Sequence, residues 1–291
     1  MKNTNQPLTD DRKIALTEVH SIFDVRDAAI LALKEDGRTE RFPTSWTQFN
    51  DYLGGGFGKS TEGELIVIAG ETGIGKSTLA ANIAMHVAQG GHQVGYITLE
   101  DSVDRTFLNL MKAGGMKHPD EMEAYKDMIF TPSNKLLESD AGWTSDDLIT
   151  HMDFVSKARG IRFVVIDHLN FMFENEAEVR DENARVRVTM KKLSNFAVRE
   201  NVTILAVSHM NKATQSAKQS EPSLDRIYGS SGIAQASTKT LLLWRPDDLQ
   251  TDDQTIIEVK LAKSRHTKTR RTWFQFDASH SQWHELGERL I

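Results

Sequence analysis

A chain of 291 residues has room for one large α/β domain with a small appendage, and not for two full-sized domains with linkers. Its 39% hydrophobic and 26% charged residues suffice for a buried sheet, while a formal net charge of −6 argues against a surface that coats nucleic acid as a whole. Cysteine is absent, which excludes disulfides and cysteine-bearing zinc modules, and neither a signal-type apolar segment nor a run of about 18 apolar residues is present, so a cytoplasmic protein with no membrane partner is expected.

Residues Met1–Asp11 are polar. Ile14–Lys34 then carry Val19, Ile22, Phe23, Val25, Ala29, Ile30 and Leu33 at helical spacing and close on Gly37, which predicts one or two helices outside the core and places residues 1–43 in an N-terminal arm. Pro43 and the glycines of LGGGFGKSTEG mark an irregular approach to the first strand. From there strand and helix alternate. Leu65–Ala69 is an all-apolar run of the kind a doubly covered parallel strand needs, and a helix over Ser77–Gln89 ends at Gly90-Gly91. A strand at Val94–Leu99, a helix over Ser102–Ala113 and a further helical stretch around Glu121–Phe130 follow. Thr144–Ala158 opens on a capping-box pattern, Thr144 to Asp147. Phe163–Ile166 reads as a buried strand, Glu182–Glu200 as a long amphipathic helix, and Val202–Val207 as another strand. After Gly232 strands are predicted near Thr240–Trp244, Ile256–Ala262 and Thr272–Phe276. The fold class is therefore α/β: a mostly parallel central sheet with right-handed crossovers and antiparallel edge strands at the C-terminus.

The segment Gly70, Glu71, Thr72, Gly73, Ile74, Gly75, Lys76, Ser77 and Thr78 fulfils G-x-x-x-x-G-K-[ST] between a buried strand and a helix, the context that this phosphate-binding loop requires. Its glycines let successive backbone N–H groups converge, and the helix adds its positive end, so ATP phosphates meet donors. Lys76 then reaches the β- and γ-phosphates and Ser77 ligates magnesium. Asp167, at the carboxyl end of FVVIDH, is the candidate partner of that magnesium, against the alternative of a helix cap or turn residue. Glu100, directly after VGYITL, is the candidate general base, with Asp101 as competitor. VTILAVSH brings Ser208 and His209 to the same edge.

Taken together, GETGIGKST, TLEDS, VVIDHLNFM, AVSHMNK, GSSGIAQ and LAKSRHTKT resemble, in order and spacing, the RecA-like motor domain of DnaB-type replicative helicases, and in particular that of the phage primase-helicases, from about Thr44 to the C-terminus. The resemblance implies residues 44–291 as a RecA-like ATPase domain in a homo-hexameric or similar ring, with nucleotides between subunits and single-stranded DNA in the centre. It assigns Glu100 as the catalytic glutamate, Asp167 as the magnesium-side aspartate, His209 as a phosphate sensor, and Lys263 and Arg265 as the lysine and arginine finger given to a neighbour's nucleotide. Arg245 and Phe276 fall where the nucleotide base is sandwiched, Phe replacing a tyrosine. Gln235 matches the glutamine after the DNA-loop region, but Ala234 stands where the phage relatives carry arginine. Neither a primase domain nor a collar domain is read ahead of the motor, so a separate primase, loader or polymerase is the expected replisome partner. The helix at Ile14–Lys34 is either a linker that docks on the next subunit or one that packs on its own core.

Single-stranded DNA is expected to meet the polar stretch Asn211–Ser230 through Lys212 and Lys218, with Tyr228 its one aromatic. The six basic residues Lys260, Lys263, Arg265, Lys268, Arg270 and Arg271, with no acid among them, read equally as a functional cluster or a solvated hairpin. Two functions remain in view: an ATP-driven helicase, and a RecA- or KaiC-like assembly ATPase that switches a ring or filament without parting strands.

Overall fold

Alternate side chains of the strand β1 (Leu65–Gly70) enter opposite cores: Ile66 and Ile68 pack on one face of the sheet, Leu65, Val67 and Ala69 on the other, and all are buried. That is why the run reads as continuously apolar. The computed structural model describes residues 41–58, 62–132, 143–170, 173, 181–210, 221–227, 230–251, 254–265 and 267–288. Residues 1–40 of the N-terminal arm, including Ile14–Lys34, lie outside them, as do Lys212, Lys218 and Tyr228.

Among the described residues β1 is joined by β2 (Val94–Thr98), β3 (Ile129–Phe130), β4 (Phe163–Asp167), β5 (Thr203–His209), β6 (Lys239–Trp244), β7 (Thr255–Ser264), β8 (Arg270–Asp277) and β9 (Gln282–Gly287), in the order β3-β2-β4-β5-β1-β6-β7-β8-β9. The first six pair in parallel and β7 to β9 antiparallel, as the sequence predicts. The helices are α1 (Thr47–Leu53), α2 (Lys76–Gln89), α3 (Val103–Ala113), α4 (Ser145–Arg159), α5 (Glu182–Glu200) and α6 (Ser230–Ala236). Their ends follow local chemistry. Ser102 caps α3, Thr144 and Asp147 complete the capping box of α4, and Asp181 caps α5.

One expectation needs correction, and two features go beyond the sequence reading. The stretch around Glu121–Phe130 is not an α-helix: His118 and Glu121 cap a 3-10 helix over Pro119–Tyr125, and Ile129–Phe130 then pairs with β2 at the sheet edge. Sheet pairing overrides the helix-forming composition there. The helix α1 and the strand β9 escape the sequence reading. Trp46, just ahead of α1, donates its indole N–H to the Trp283 carbonyl at 3.0 Å, so the two elements are joined across a long stretch of sequence. The basic stretch from Lys260 to Arg271 is not merely a solvated hairpin either. Lys260 and Arg271 both pair with Glu221, Arg271 lies 3.5 Å from buried Glu258, and Arg270 lies 3.7 Å from Glu288.

Glycine is required where α6 crosses α5. A Cβ on Gly232 would stand 3.0 Å from the Arg187 backbone nitrogen, so this glycine of GSSGIAQ sets the approach of the two helices. At the amino end of the parallel strands, Lys239 donates to buried Glu64 at 2.6 Å and Thr238 N–H to the Leu65 carbonyl at 2.8 Å, which pins the start of β6 to the start of β1.

Candidate nucleotide site

The carboxyl ends of the parallel strands gather the residues that the sequence singles out. Gly70 of β1 is in register with His209 of β5, Thr98 of β2 with Asp167 of β4, and Arg245 follows directly on β6. Between Gly70 and α2 the loop turns through Gly73 and Gly75 at φ +79° and +98°, a conformation that side chains other than glycine resist. Gly75 is also the N-cap of α2, so the helix begins under the loop.

Lys76 is 5% exposed, and its ammonium donates to the Glu71 carbonyl at 2.9 Å. Burial draws its pKa down to about 8, partly offset by Asp167, Glu100 and Glu71. The side chain is thus enclosed by the loop and its acids, outside the apolar cores. Ser77 donates to Asp167 Oδ1 at 3.0 Å, and the Tyr96 phenol donates to Asp167 Oδ2 at 3.2 Å. Burial raises Asp167 to about 6 against these two bonds. Tyr96 escapes the sequence reading, because a tyrosine within VGYIT reads only as a strand residue. The pair Ser77 and Asp167 offers hard oxygen donors, one of them a buried carboxylate that a cation would keep ionised, and this fits magnesium.

The two candidate bases separate clearly. Asp101 accepts from Arg105 across 3.5 Å and its backbone N–H bonds the Thr98 hydroxyl, which turns it toward α3. Glu100 instead lies 3.7 Å from His168 Nε2 and contributes to the field at Lys76 and Asp167. His168, which no sequence motif singles out, stacks edge-on against His209 with ring centroids 3.7 Å apart. Burial holds both rings neutral, His168 near pKa 3 and His209 near 4, with Lys76 adding to the effect. Asn170 fixes the strand end by accepting from Ser208 Oγ and from the His209 N–H.

Arg245 and Phe276 both reach the phosphate loop, through different neighbours. Arg245 lines a cavity of about 280 Å³ with Glu71, Thr72, Gly73, Ile74 and Arg226. A Cβ on Gly75 would meet the Phe276 ring at 3.7 Å, and that ring packs on Trp283 at 5.1 Å. The flanks of the undescribed 211–220 segment also converge here: Met210 bridges Ile227, its N–H bonds the Gly70 carbonyl at 3.3 Å, and Arg226 pairs with Glu71 at 3.3 Å.

Lys263 and Arg265 stand elsewhere. The Arg265 N–H bonds the Thr238 carbonyl, and the Thr238 N–H bonds the Leu65 carbonyl, so the pair belongs to the amino edge of the sheet. Five residues of β1 separate that edge from Gly70, about 16 Å at the usual strand rise. There Lys263 donates to the Ala234 and Ser237 carbonyls, and exposed Arg265 donates to that of Gln235 at 3.0 Å.

Comparison with known proteins places these features in context. The family model for the DnaB-like helicase C-terminal domain matches residues 42–285. The replicative DNA helicase DnaB of Geobacillus stearothermophilus is 25% identical over 273 residues, which cover 88% of this chain and 59% of that protein. The chain thus spans less than two thirds of this relative. The solved structure of a DnaB-like replicative helicase, described with its interactions with primase, superposes with a TM-score of 0.72 at 18% identity, covering 91% of this chain and 67% of that one. A KaiC-like protein from Pyrococcus horikoshii superposes with a TM-score of 0.61 at 18% identity, covering 85% and 99%. These likenesses mark the fold as RecA-like. Among the described residues no helix is long and apolar enough to cross a membrane.

Proposed function

The chain belongs to the DnaB-like helicase C-terminal domain family, and from that premise we propose that it is the ATP-driven motor of a replicative DNA helicase, acting as a homo-hexameric or similar ring on single-stranded DNA and travelling 5′ to 3′. The observation that carries this reading is the division of the phosphate chemistry between two edges of one sheet. Lys76, Ser77, Glu100, Asp167 and His209 gather at the carboxyl edge, whereas Lys263 and Arg265 lie at the amino edge. A complete nucleotide site then takes its cationic finger from a second copy.

In this reading the phosphate loop and Lys76 bind the triphosphate, with Arg245 and Phe276 flanking the base. Ser77 and Asp167 would hold magnesium, which would supply charge neutralisation at the phosphates. Glu100 accepts a proton from the attacking water as its oxygen bonds the γ-phosphorus and the bond to the β,γ-bridging oxygen breaks. Tyr96 keeps Asp167 aimed at Ser77. His209, joined in register to Gly70, senses the γ-phosphate and passes its state to the segment that starts at Asn211. Residues 1–43 form an arm that links neighbouring subunits, and a separate primase, loader or polymerase completes the replisome.

Displacement of a labelled strand from a forked duplex, with ATP required, tests the whole proposal. ATP hydrolysis without displacement, on forks of either polarity, would favour the assembly ATPase. Two narrower outcomes follow. Lys76→Ala should reduce turnover to background and leave the circular dichroism spectrum intact, since the ammonium meets loop groups and not the apolar core. Normal hydrolysis by the folded variant would remove the nucleotide site from this loop. Replacing Lys212 and Lys218 together by alanine should weaken single-strand binding and flatten its salt dependence by about one unit of logarithmic slope for each phosphate no longer neutralised. DNA-independent hydrolysis should persist; an unchanged slope would move the DNA grip elsewhere.

A further inference from the structure

We infer that Glu100, His168 and His209 form a binding site for a transition metal of the zinc class, separate from the magnesium position at Ser77 and Asp167. One ligand atom from each of the three lies within 4.8 Å of the others. His168 Nε2 stands 3.7 Å from Glu100 Oε2, and the two imidazoles meet edge-on at 3.7 Å. His209 Nδ1 is buried with no hydrogen-bond partner among the described residues.

The backbone explains why these groups converge. His168 follows β4, His209 ends β5 and Glu100 follows β2, and these strands are neighbours in the order β2-β4-β5. The His168 side chain is 2% exposed and that of Glu100 50%, so a confined imidazole faces a carboxylate that is free to swing. Tetrahedral zinc with bonds of about 2.0–2.1 Å sets its ligand atoms about 3.3 Å apart. Rotation of Glu100 with a small turn of the rings closes the gap.

Donor chemistry separates the two metals. Magnesium takes oxygen ligands in an octahedron and keeps much of its water, which suits Ser77 and Asp167. Two imidazoles and a carboxylate suit zinc, cobalt or nickel instead, with a fourth position left to water. The Lys76 ammonium opposes a cation here, but it is drawn to the Glu71 carbonyl, and Asp167 and Glu100 supply compensating charge. The filled site engages the Glu100 carboxylate. On the reading of Glu100 as general base, zinc then inhibits ATP hydrolysis; the binding itself does not rest on that reading.

The probe is cobalt, whose visible absorption intensifies in a four-coordinate nitrogen and oxygen field, titrated into the nucleotide-free 291-residue chain. One equivalent per chain should produce a saturating band that one equivalent of zinc abolishes. Glu100→Gln and His168→Asn should each weaken binding by about tenfold or more, since ligand loss costs at least what loss of an outer partner does. Asp277→Asn, at the separate surface pair of Asp277 and His280, should change nothing. Absence of the band from the wild-type protein would overturn the site, as would an unchanged midpoint in Glu100→Gln. That exposed position keeps the test decisive should the buried His168 variant misfold. Zinc that binds as described yet leaves steady-state hydrolysis untouched would count against Glu100 as base and not against the metal site.

Discussion

Glu100→Gln is expected to lower ATP hydrolysis by about 10²- to 10⁴-fold, the usual contribution of a positioned general base, while Asp101→Asn has a far smaller effect. Glutamine keeps the shape and a carbonyl acceptor but cannot take a proton from water at neutral pH. Half exposed, Glu100 has nothing to lose in folding, so the variant should still bind ATP and magnesium and hold DNA longer in the trapped state. The Asp101 carboxylate lies 3.5 Å from the Arg105 guanidinium, and its loss should appear as at most a modest drop in stability at the start of α3. Steady-state ATPase rates of the two variants, paired with fluorescent-nucleotide binding, separate the roles. The reverse ranking would transfer the base to Asp101.

Legibility in the sequence tracks how local each feature is. The phosphate loop is written in nine consecutive residues, and its strand and helix neighbours carry clean patterns, so its place is readable without a fold. Asp167 is readable only in company with the phosphate loop, since a carboxylate that ends an apolar strand is as often a helix cap or a turn residue. Tyr96 is not: its phenol reaches Asp167 only because β2 and β4 are adjacent, a pairing between residues 71 positions apart. His168 is hidden by its neighbour, since the aspartate accounts for FVVIDH by itself. The choice between Glu100 and Asp101 likewise needs the Arg105 side chain, which sequence alone cannot aim.

The same logic sorts the fold. Helices with side-chain caps, such as α4 and α5, declare their starts, whereas α1 has no side-chain cap bond and is held by Glu285, whose carboxylate accepts from the Gln48 and Phe49 N–H groups. Residues 285 and 48 are remote in sequence, so neither α1 nor β9 shows by itself. The 3-10 turn at Pro119–Tyr125 has a helix-like composition, and what ends it is the pairing of Ile129–Phe130 with β2. Strand order carries the largest hidden consequence. Only once β6 sits beside β1, and β7 beside β6, do Lys263 and Arg265 come to rest at the edge away from their own phosphate loop.

That placement makes Arg265 the sharpest test of assembly. Arg265→Ala is expected to lower ATP turnover by about 10³- to 10⁵-fold, the contribution of an arginine finger to phosphoryl transfer, and lysine should not restore it. A planar, permanently charged guanidinium can follow charge over the equatorial oxygens, whereas an ammonium is a single point. The competing role is structural: Arg265 donates to the Gln235 carbonyl at the end of α6, an exposed hydrogen bond whose removal would lower the melting temperature slightly and leave turnover alone. Mixing distinguishes the two. Subunits carrying Arg265→Ala retain an intact phosphate loop, and subunits carrying Lys76→Ala retain an intact finger, so mixed assemblies contain some interfaces with both. Partial recovery of hydrolysis on mixing two inactive preparations is therefore expected only if the arginine acts across the interface. No recovery, with mixed assemblies demonstrated by native mass measurement, would count against action in trans, and wild-type turnover by Arg265→Ala alone would end the assignment.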